Sequence, residues 1–365
     1  MKNLILFLAA IAMLACQQES PKEVEKFEIK RGSNLGHWLS QSKKRGEERA
    51  QFITREDIRD AAEMGFDHMR LPIDEEQMWD EEGNRNEDAF QLMEDCIGWC
   101  LENELRIIID LHILRSHHFI AKEKPLWTDP AEQEKFYDLW RDLSSVLNKY
   151  PNDFLAYELL NEAVADDPEL WNNLIANAVA AIRELEPERT IVIGSNKWQQ
   201  AGTFDELKVP ENDPNIILSF HFYEPFLLTH YNAGWTPLKG YTGPVHYPGV
   251  ILSQEEFDPL PGEMKTEATR SFVGREFDKQ WILNEWTKPI QKAKKLGLPL
   301  YCGEFGIIKG PSEEDGFRWY QDMIDLFEEN DIAYANWNFK SGSWGLKDED
   351  GSKREQKIKI ISGKK

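Results

Sequence analysis

Residues 106–112 read RIIIDLH: three consecutive isoleucines, then Asp110, Leu111 and His112. Side chains alternate faces along a strand, so an unbroken apolar run needs cover on both sides. That is the condition of a parallel strand buried between helices and a core. Seven further segments have a similar build, at 30–37, 66–72, 154–161, 190–195, 216–222, 299–304 and 332–338. Between them lie stretches with apolar residues three and four positions apart, the period of an amphipathic helix. Thr54 and Asp57 resemble a capping box opening one helix over 54–63, with Gly65 as its stop. Others are expected over 89–103, 131–150, 168–185, 275–296 and 316–330, and Phe136, Leu139, Trp140, Leu143 and Leu147 form one such stripe. Eight strands alternating with helices in one series predict a single α/β domain, a (β/α)₈ or TIM barrel. The stretch 223–269 is too long for an ordinary connection after strand six and holds six prolines, with Trp235, Tyr241 and Tyr247 between them. It is expected to fold as an extended loop over the barrel mouth.

The 365 residues suit one barrel with insertions. A formal net charge of −22 argues against a nucleic-acid partner, which needs lysine and arginine to neutralise phosphates. Neutral glycans remain open to it. Residues 1–16, MKNLILFLAAIAMLAC, combine a lysine, an apolar run and a small residue before Cys16. The run is too short to span a bilayer and has the build of a secretory signal. Ala15-Cys16 is similar to the cleavage site of lipoproteins, which makes Cys16 the expected lipidated residue. Residues 17–25 then read as a polar tether and 26–365 as the folded catalytic domain. Gln17, in place of an aspartate, points to the outer membrane of a Gram-negative host, on its periplasmic or surface face. Cys96 and Cys100 stand one helical turn apart and Cys302 lies in an apolar strand, so no disulfide framework is implied.

Active sites of such barrels lie at the C-terminal ends of the strands. Those ends here carry Arg70, then Asp110 and His112, then Asn161-Glu162, then His221-Phe222-Tyr223, then Glu304, and finally Trp337. Each alone has an ordinary explanation, since Asn and Glu suit helix starts, histidines can be structural and tryptophan can be core. A stack of apolar strands does not need an ionisable or hydrogen-bonding group at so many of its ends.

Together, Arg70, His112, Asn161-Glu162, His221-x-Tyr223, Glu304 and Trp337 resemble the pattern of glycoside hydrolase family 5, the cellulase family of retaining (β/α)₈-barrel glycosidases. The resemblance covers about residues 30–340, and RGSNLGHWLS and YCGEFG look like the family's flanking sequence. It implies Glu162 as catalytic acid/base and Glu304 as nucleophile, with Arg70, His112, Asn161, His221, Tyr223 and Trp337 as binding or supporting residues. The chemistry asks for the same division. In a retaining glycosidase two carboxyl groups stand about 5–5.5 Å apart, one attacking the anomeric carbon and the other protonating the departing oxygen. Glu304, near Arg70 and Tyr223, is expected to stay ionised, and its charge to raise the pKa of Glu162. Asn161 is expected at the sugar 2-hydroxyl and Trp337 under the reacting sugar. Trp198, Trp38 and Trp235 are weaker candidates for outer subsites. HFYEPFLLTHYNAGW resembles a cleft-lining loop of some bacterial family members.

An endo-β-1,4-glucanase is the leading expectation. Xyloglucan, β-mannan, mixed-linkage glucan and β-1,3-glucan are alternatives for the same chemistry. A metal-dependent hydrolase would normally carry a His-x-His pair on strand one, where this chain has Asn34-Leu-Gly-His37. A glycan-binding lipoprotein without activity would not need both glutamates. No cofactor or metal, a β-glucan partner, membrane association only through a lipid, and a monomer are expected.

Overall fold

The computed structural model describes residues 26–310 and 312–363; the leader, Cys16 and the tether lie outside these. The eight expected strands are present as β1 (Arg31–Asn34), β2 (His68–Asp74), β3 (Arg106–Ile113), β4 (Leu155–Glu158), β5 (Ile191–Gly194), β6 (Ile216–Phe222), β7 (Leu300–Phe305) and β8 (Ala333–Asn336). They pair in parallel in chain order, and β8 closes on β1, giving a sealed (β/α)₈ barrel. Closure removes every sheet edge and leaves all eight strands with one face on the outer helices and one face inward.

The alternation along β3 shows how this positions chemistry. Ile107, Ile109 and Leu111 join the large core beneath the helices. Ile108 faces the barrel interior, where it packs with Ala156, Val192, Ile217, Tyr301 and Ala335, and Phe27 covers this small core from the side on which the chain enters β1. Two and four residues beyond Ile108 on the same face come Asp110 and His112. The inward residues therefore change from apolar at the base to ionisable at the mouth. Space inside is short. A Cβ on Gly32 would lie 2.4 Å from the buried imidazole of His68, so glycine is needed there.

The outer helices follow their sequence signals. Thr54 and Asp57 make the capping box of helix Arg55–Met64, and Gly65 ends it in the left-handed conformation. Helices Glu87–Glu102, Pro130–Leu147, Pro168–Leu185 and Glu313–Glu329 lie where the periodicity put them. The helix expected over 275–296 is instead two, Lys279–Glu285 and Thr287–Leu296. Pro289 is the cause: it lacks an N–H and its ring would meet the carbonyl of Glu285, so the helix must restart. Ahead of that break, Glu276–Phe277 pairs antiparallel with Gly249–Val250 and closes the base of the long excursion after β6. Within this excursion Tyr241 and Tyr247 are buried, while Trp235 is 59% exposed. Cys96, Cys100 and Cys302 are free and buried. Among the described residues no helix is long and apolar enough to cross a membrane.

Candidate active site

The C-terminal ends of the strands enclose a cleft of about 990 Å³, lined among others by His112, Asn161, Glu162, His221, Tyr223, Glu304 and Trp337. Arg70, wholly buried, is the hub beneath it. Its Nη1 donates to Glu304 Oε1 at 2.7 Å and to Asn34 Oδ1 at 2.9 Å. Its Nε donates to Glu158 Oε2 at 2.6 Å, and Nη2 to Asn161 Oδ1 at 2.9 Å. Asp110 Oδ2 lies 3.0 Å from Nη2. Burial disfavours a guanidinium charge, but Asp110, Glu158 and Glu304 outweigh it and hold Arg70 firmly cationic. A charge so deep is tolerable because its hydrogen-bonding fork is engaged on every side.

Glu304 is held from two directions. Arg70 takes Oε1, and the Tyr223 hydroxyl donates to Oε2 at 2.9 Å. Glu162 has a different environment. His221 Nδ1 lies 3.2 Å from its Oε1, and no cation touches it among the described residues. The two carboxylates thus differ in charge balance. Burial raises the pKa of Glu162 well above the carboxylate range, and the negative charge of Glu304 adds to the rise. Burial also raises Glu304, but Arg70 and the Tyr223 hydroxyl pull it back. Of the pair, Glu162 is the one that keeps a proton.

Asn161 spends its carbonyl oxygen on Arg70, which leaves its amide NH₂ for the cleft. His112 Nδ1 lies 2.6 Å from Asp110 Oδ2, and its Nε2 lies 2.9 Å from the amide nitrogen of Gln41. The Gln41 amide can only donate, so His112 carries its proton on Nδ1, towards Asp110. Burial lowers the His112 pKa to about 3, and the ring stays neutral. Its ring lies parallel to Trp337, with centroids 5.7 Å apart. His112 therefore orients the tryptophan face and does not contact either glutamate, whereas His221 stands beside both, 3.7 Å from Glu304 Oε2.

Among the weaker tryptophan candidates, Trp198 and Trp235 line the cleft and are 38% and 59% exposed. Trp198 is fixed by its indole N–H, which donates to the Phe119 carbonyl at 3.2 Å. Trp38 must be corrected: it is fully buried, and its indole N–H donates to the Arg49 carbonyl at 2.7 Å. The left-handed turn at His37 directs the next side chain into the core instead of the cleft. Trp198→Ala is expected to raise KM for a long glucan about threefold to tenfold with little change in kcat, the scale of one lost stacking contact. An unchanged KM in steady-state assays would remove Trp198 from the binding surface.

Several residues of the site escaped the strand-end reading. Asn34 and Glu158 are the last residues of β1 and β4, which stop short of the expected ends at 37 and 161, and they meet Arg70 only because the barrel closes. Trp344 and His230 line the cleft and pack edge-on against Tyr223, with ring centroids 5.9 and 5.1 Å away. They brace the hydroxyl that holds Glu304. The only hint for Trp344 is a tryptophan shortly after a strand end. Glu162, His221 and Glu304 bring ligand atoms within 4.8 Å of one another, a spacing a cation could use. Arg70 already supplies the positive charge there and Tyr223 occupies the second oxygen, so the donor set suits proton transfer better than metal binding.

Residues 27–343 match the family model Cellulase (glycosyl hydrolase family 5). Endoglucanase C of Acetivibrio thermocellus is 35% identical over 339 residues, covering 90% of this chain and 96% of that protein. Cellodextrinase A of Ruminococcus flavefaciens is 31% identical over 309 residues, 84% of each. Among solved structures, Thermotoga maritima Cel5A in complex with mannotriose superposes with a TM-score of 0.72 at 24% identity, over 94% of this chain and 100% of that one. The cellulose synthase subunit Z of Clostridioides difficile gives a TM-score of 0.73 at 22% identity, over 92% of this chain and 99% of that one. These last two likenesses concern the fold.

Proposed function

The chain belongs to the cellulase family, glycosyl hydrolase family 5, and from that premise we propose that it cuts β-1,4-glucan internally, with Glu304 as nucleophile and Glu162 as acid/base. It is a glycoside hydrolase of endoglucanase type, as are the endoglucanases it is similar to. The observation that carries the residue roles is the spacing of two unlike carboxylates. Oxygens of Glu162 and Glu304 lie within 4.8 Å of each other. Retaining glycosidases need about 5–5.5 Å between these groups, and inverting ones leave about 6.5–9.5 Å for a water.

In the first step a Glu304 oxygen forms a bond to the anomeric carbon while the bond to the leaving oxygen breaks, and the Glu162 proton passes to that oxygen. Once Glu304 is esterified, its charge no longer raises the Glu162 pKa, and Glu162 can take a proton from water. The water oxygen then bonds to the anomeric carbon, the ester bond breaks, and Glu304 leaves as a carboxylate already paired with Arg70. Tyr223 and Arg70 fix both oxygens of Glu304, so attack costs little reorganisation. The Asn161 amide is available to the sugar 2-hydroxyl, a contact that strengthens as positive charge develops on the ring. Trp337 offers its face to the same sugar.

The test is release of reducing ends from β-1,4-glucan, xyloglucan, β-mannan, mixed-linkage glucan and β-1,3-glucan, followed by product sizing. β-1,4-Glucan should be cleaved fastest, with a rapid fall in chain length, and the first product should have the β configuration in proton NMR. An α product first, or release of only one short sugar from chain ends, would contradict the reading.

The leader belongs to the same proposal. Export and lipidation at Cys16 are supported by the build of residues 1–16, and an outer-membrane location in a Gram-negative host by Gln17 after it. In a host with a lipoprotein pathway, Cys16→Ala is expected to abolish incorporation of labelled palmitate and to move the protein out of the membrane fraction. Unchanged labelling would refute it.

A further inference from the structure

We infer that Gln199 is a positioning residue that sets the orientation of Glu162; this rests on the reading of Glu162 as acid/base. The chain leaves β5 at Gly194 and then passes through Lys197, Trp198 and Gln199 with φ of 55°, 62° and 51°. Three successive non-glycine residues in the left-handed region are rare, and such backbone persists only where its surroundings over-determine it. Here the turn brings Gln199, which is 1% exposed, back over the barrel interior. Any Cβ on Gly194 would come within 2.4 Å of the Gln199 Cγ and amide nitrogen, so the glycine exists to admit this side chain.

Both ends of the Gln199 amide are used. Its Oε1 accepts from the Glu162 backbone N–H at 2.9 Å. Its Nε2 donates to Glu158 Oε1 at 3.2 Å and to Ser219 Oγ at 3.1 Å. The orientation is forced, because Glu162 presents a donor and Glu158 a carboxylate. Glu162 is itself left-handed, with φ of 46°, and this torsion decides where its carboxyl points. Its N–H bonds to a side chain carried beyond the next strand, not to sheet backbone. A continuous line then runs from Glu162 through Gln199, Glu158 and Arg70 to Glu304. Through it the acid/base is held in register with the nucleophile. Without Gln199, Glu162 loses a buried partner and can relax from its left-handed torsion.

The test compares kcat/KM, which reports the first bond cleavage, on two substrates. With cellotetraose the leaving sugar oxygen needs a proton, whereas with 2,4-dinitrophenyl β-cellobioside the phenolate departs without one. Gln199→Ala is expected to lose about 10²-fold on cellotetraose, the scale of a small misplacement, and less than about threefold on the aryl glycoside. A residue that merely supports the fold would lower both alike. Equal losses, or none on either, overturn the inference. Should Gln199→Ala fail to fold, Ser219→Ala, which removes one of the two anchors, decides it. A smaller split of the same sense supports the inference, and equal rates on both substrates overturn it. Glu162→Ala serves as the control: absence of the split there counts against the acid/base reading itself and not against Gln199 alone.

Discussion

Glu304→Ala is expected to lower kcat on β-1,4-glucan by on the order of 10⁵-fold, the scale on which loss of a nucleophile acts in other covalent enzymes. The fold should survive, because Arg70 keeps Glu158, Asp110, Asn34 and Asn161 as partners. Azide is small enough to enter the space left by the carboxylate and should restore turnover of an activated aryl β-glycoside. Attack then comes from the face Glu304 occupied, so the product is the α-glycosyl azide, with inverted configuration. The same variant reports on Glu162. Burial is the first cause of its raised pKa and the Glu304 charge the second. Removing that charge should lower the Glu162 pKa, as read by NMR titration of its carboxyl carbon, yet leave it above the ordinary carboxylate range. Turnover near that of the parent enzyme, or an azide product of retained configuration, would sink the assignment.

Arg70→Met should be the most destabilising single change in the site, at about 3–5 kcal/mol near neutral pH. The cost is that of leaving buried carboxylates without their cation. Its sign with pH follows from the same groups. Burial already holds Asp110 at about 7 and raises Glu158 and Glu304, all in opposition to Arg70. Without the guanidinium their folded pKa values rise further above the unfolded ones. A raised carboxyl stabilises the fold relative to its ionised state at low pH and loses that contribution as pH rises through the folded value. The deficit should therefore be smaller at about pH 5 than at about pH 8, as measured by denaturant unfolding. The acid limb of activity should also move upward, because Glu304 is harder to ionise. A deficit that grew on acidification, or stayed below about 1 kcal/mol, would show that Arg70 is not the electrostatic hub.

Much of this was legible in the chain because each relevant signal is local. Buried parallel strands advertise themselves as apolar runs such as Ile107–Ile109, and a barrel confines its reactive groups to the residues that end those runs. Glu162, Glu304, Arg70, Asn161, Tyr223 and Trp337 could all be read that way, and they do meet around one cleft. What could not be read depends on closure. Glu158 ends β4, but the sequence runs on apolar through Leu159 and Leu160, so it reads as an ordinary polar interruption, and it becomes Arg70's partner only across the barrel interior. Gln199 depends on a left-handed triplet without glycine, which leaves no mark in the residue types. Trp38 misled for the converse reason: its position after strand one was right for a cleft residue, but the turn at His37 sends it inward. The long periodic stretch over 275–296 also carried its own breaker in Pro289, which periodicity outweighed.

The covering of the barrel base by Phe27 has a consequence for attachment. The chain reaches β1 from the pole opposite the cleft, and Phe27 seals that pole against Ile108, Ala156 and Val192. The point at which anything ahead of residue 26 joins the barrel, whether a linker or a fusion partner, is therefore at this pole and away from the mouth. A shortened protein for assay or immobilisation should start before Phe27 and can be coupled through that end without obstructing the glucan path.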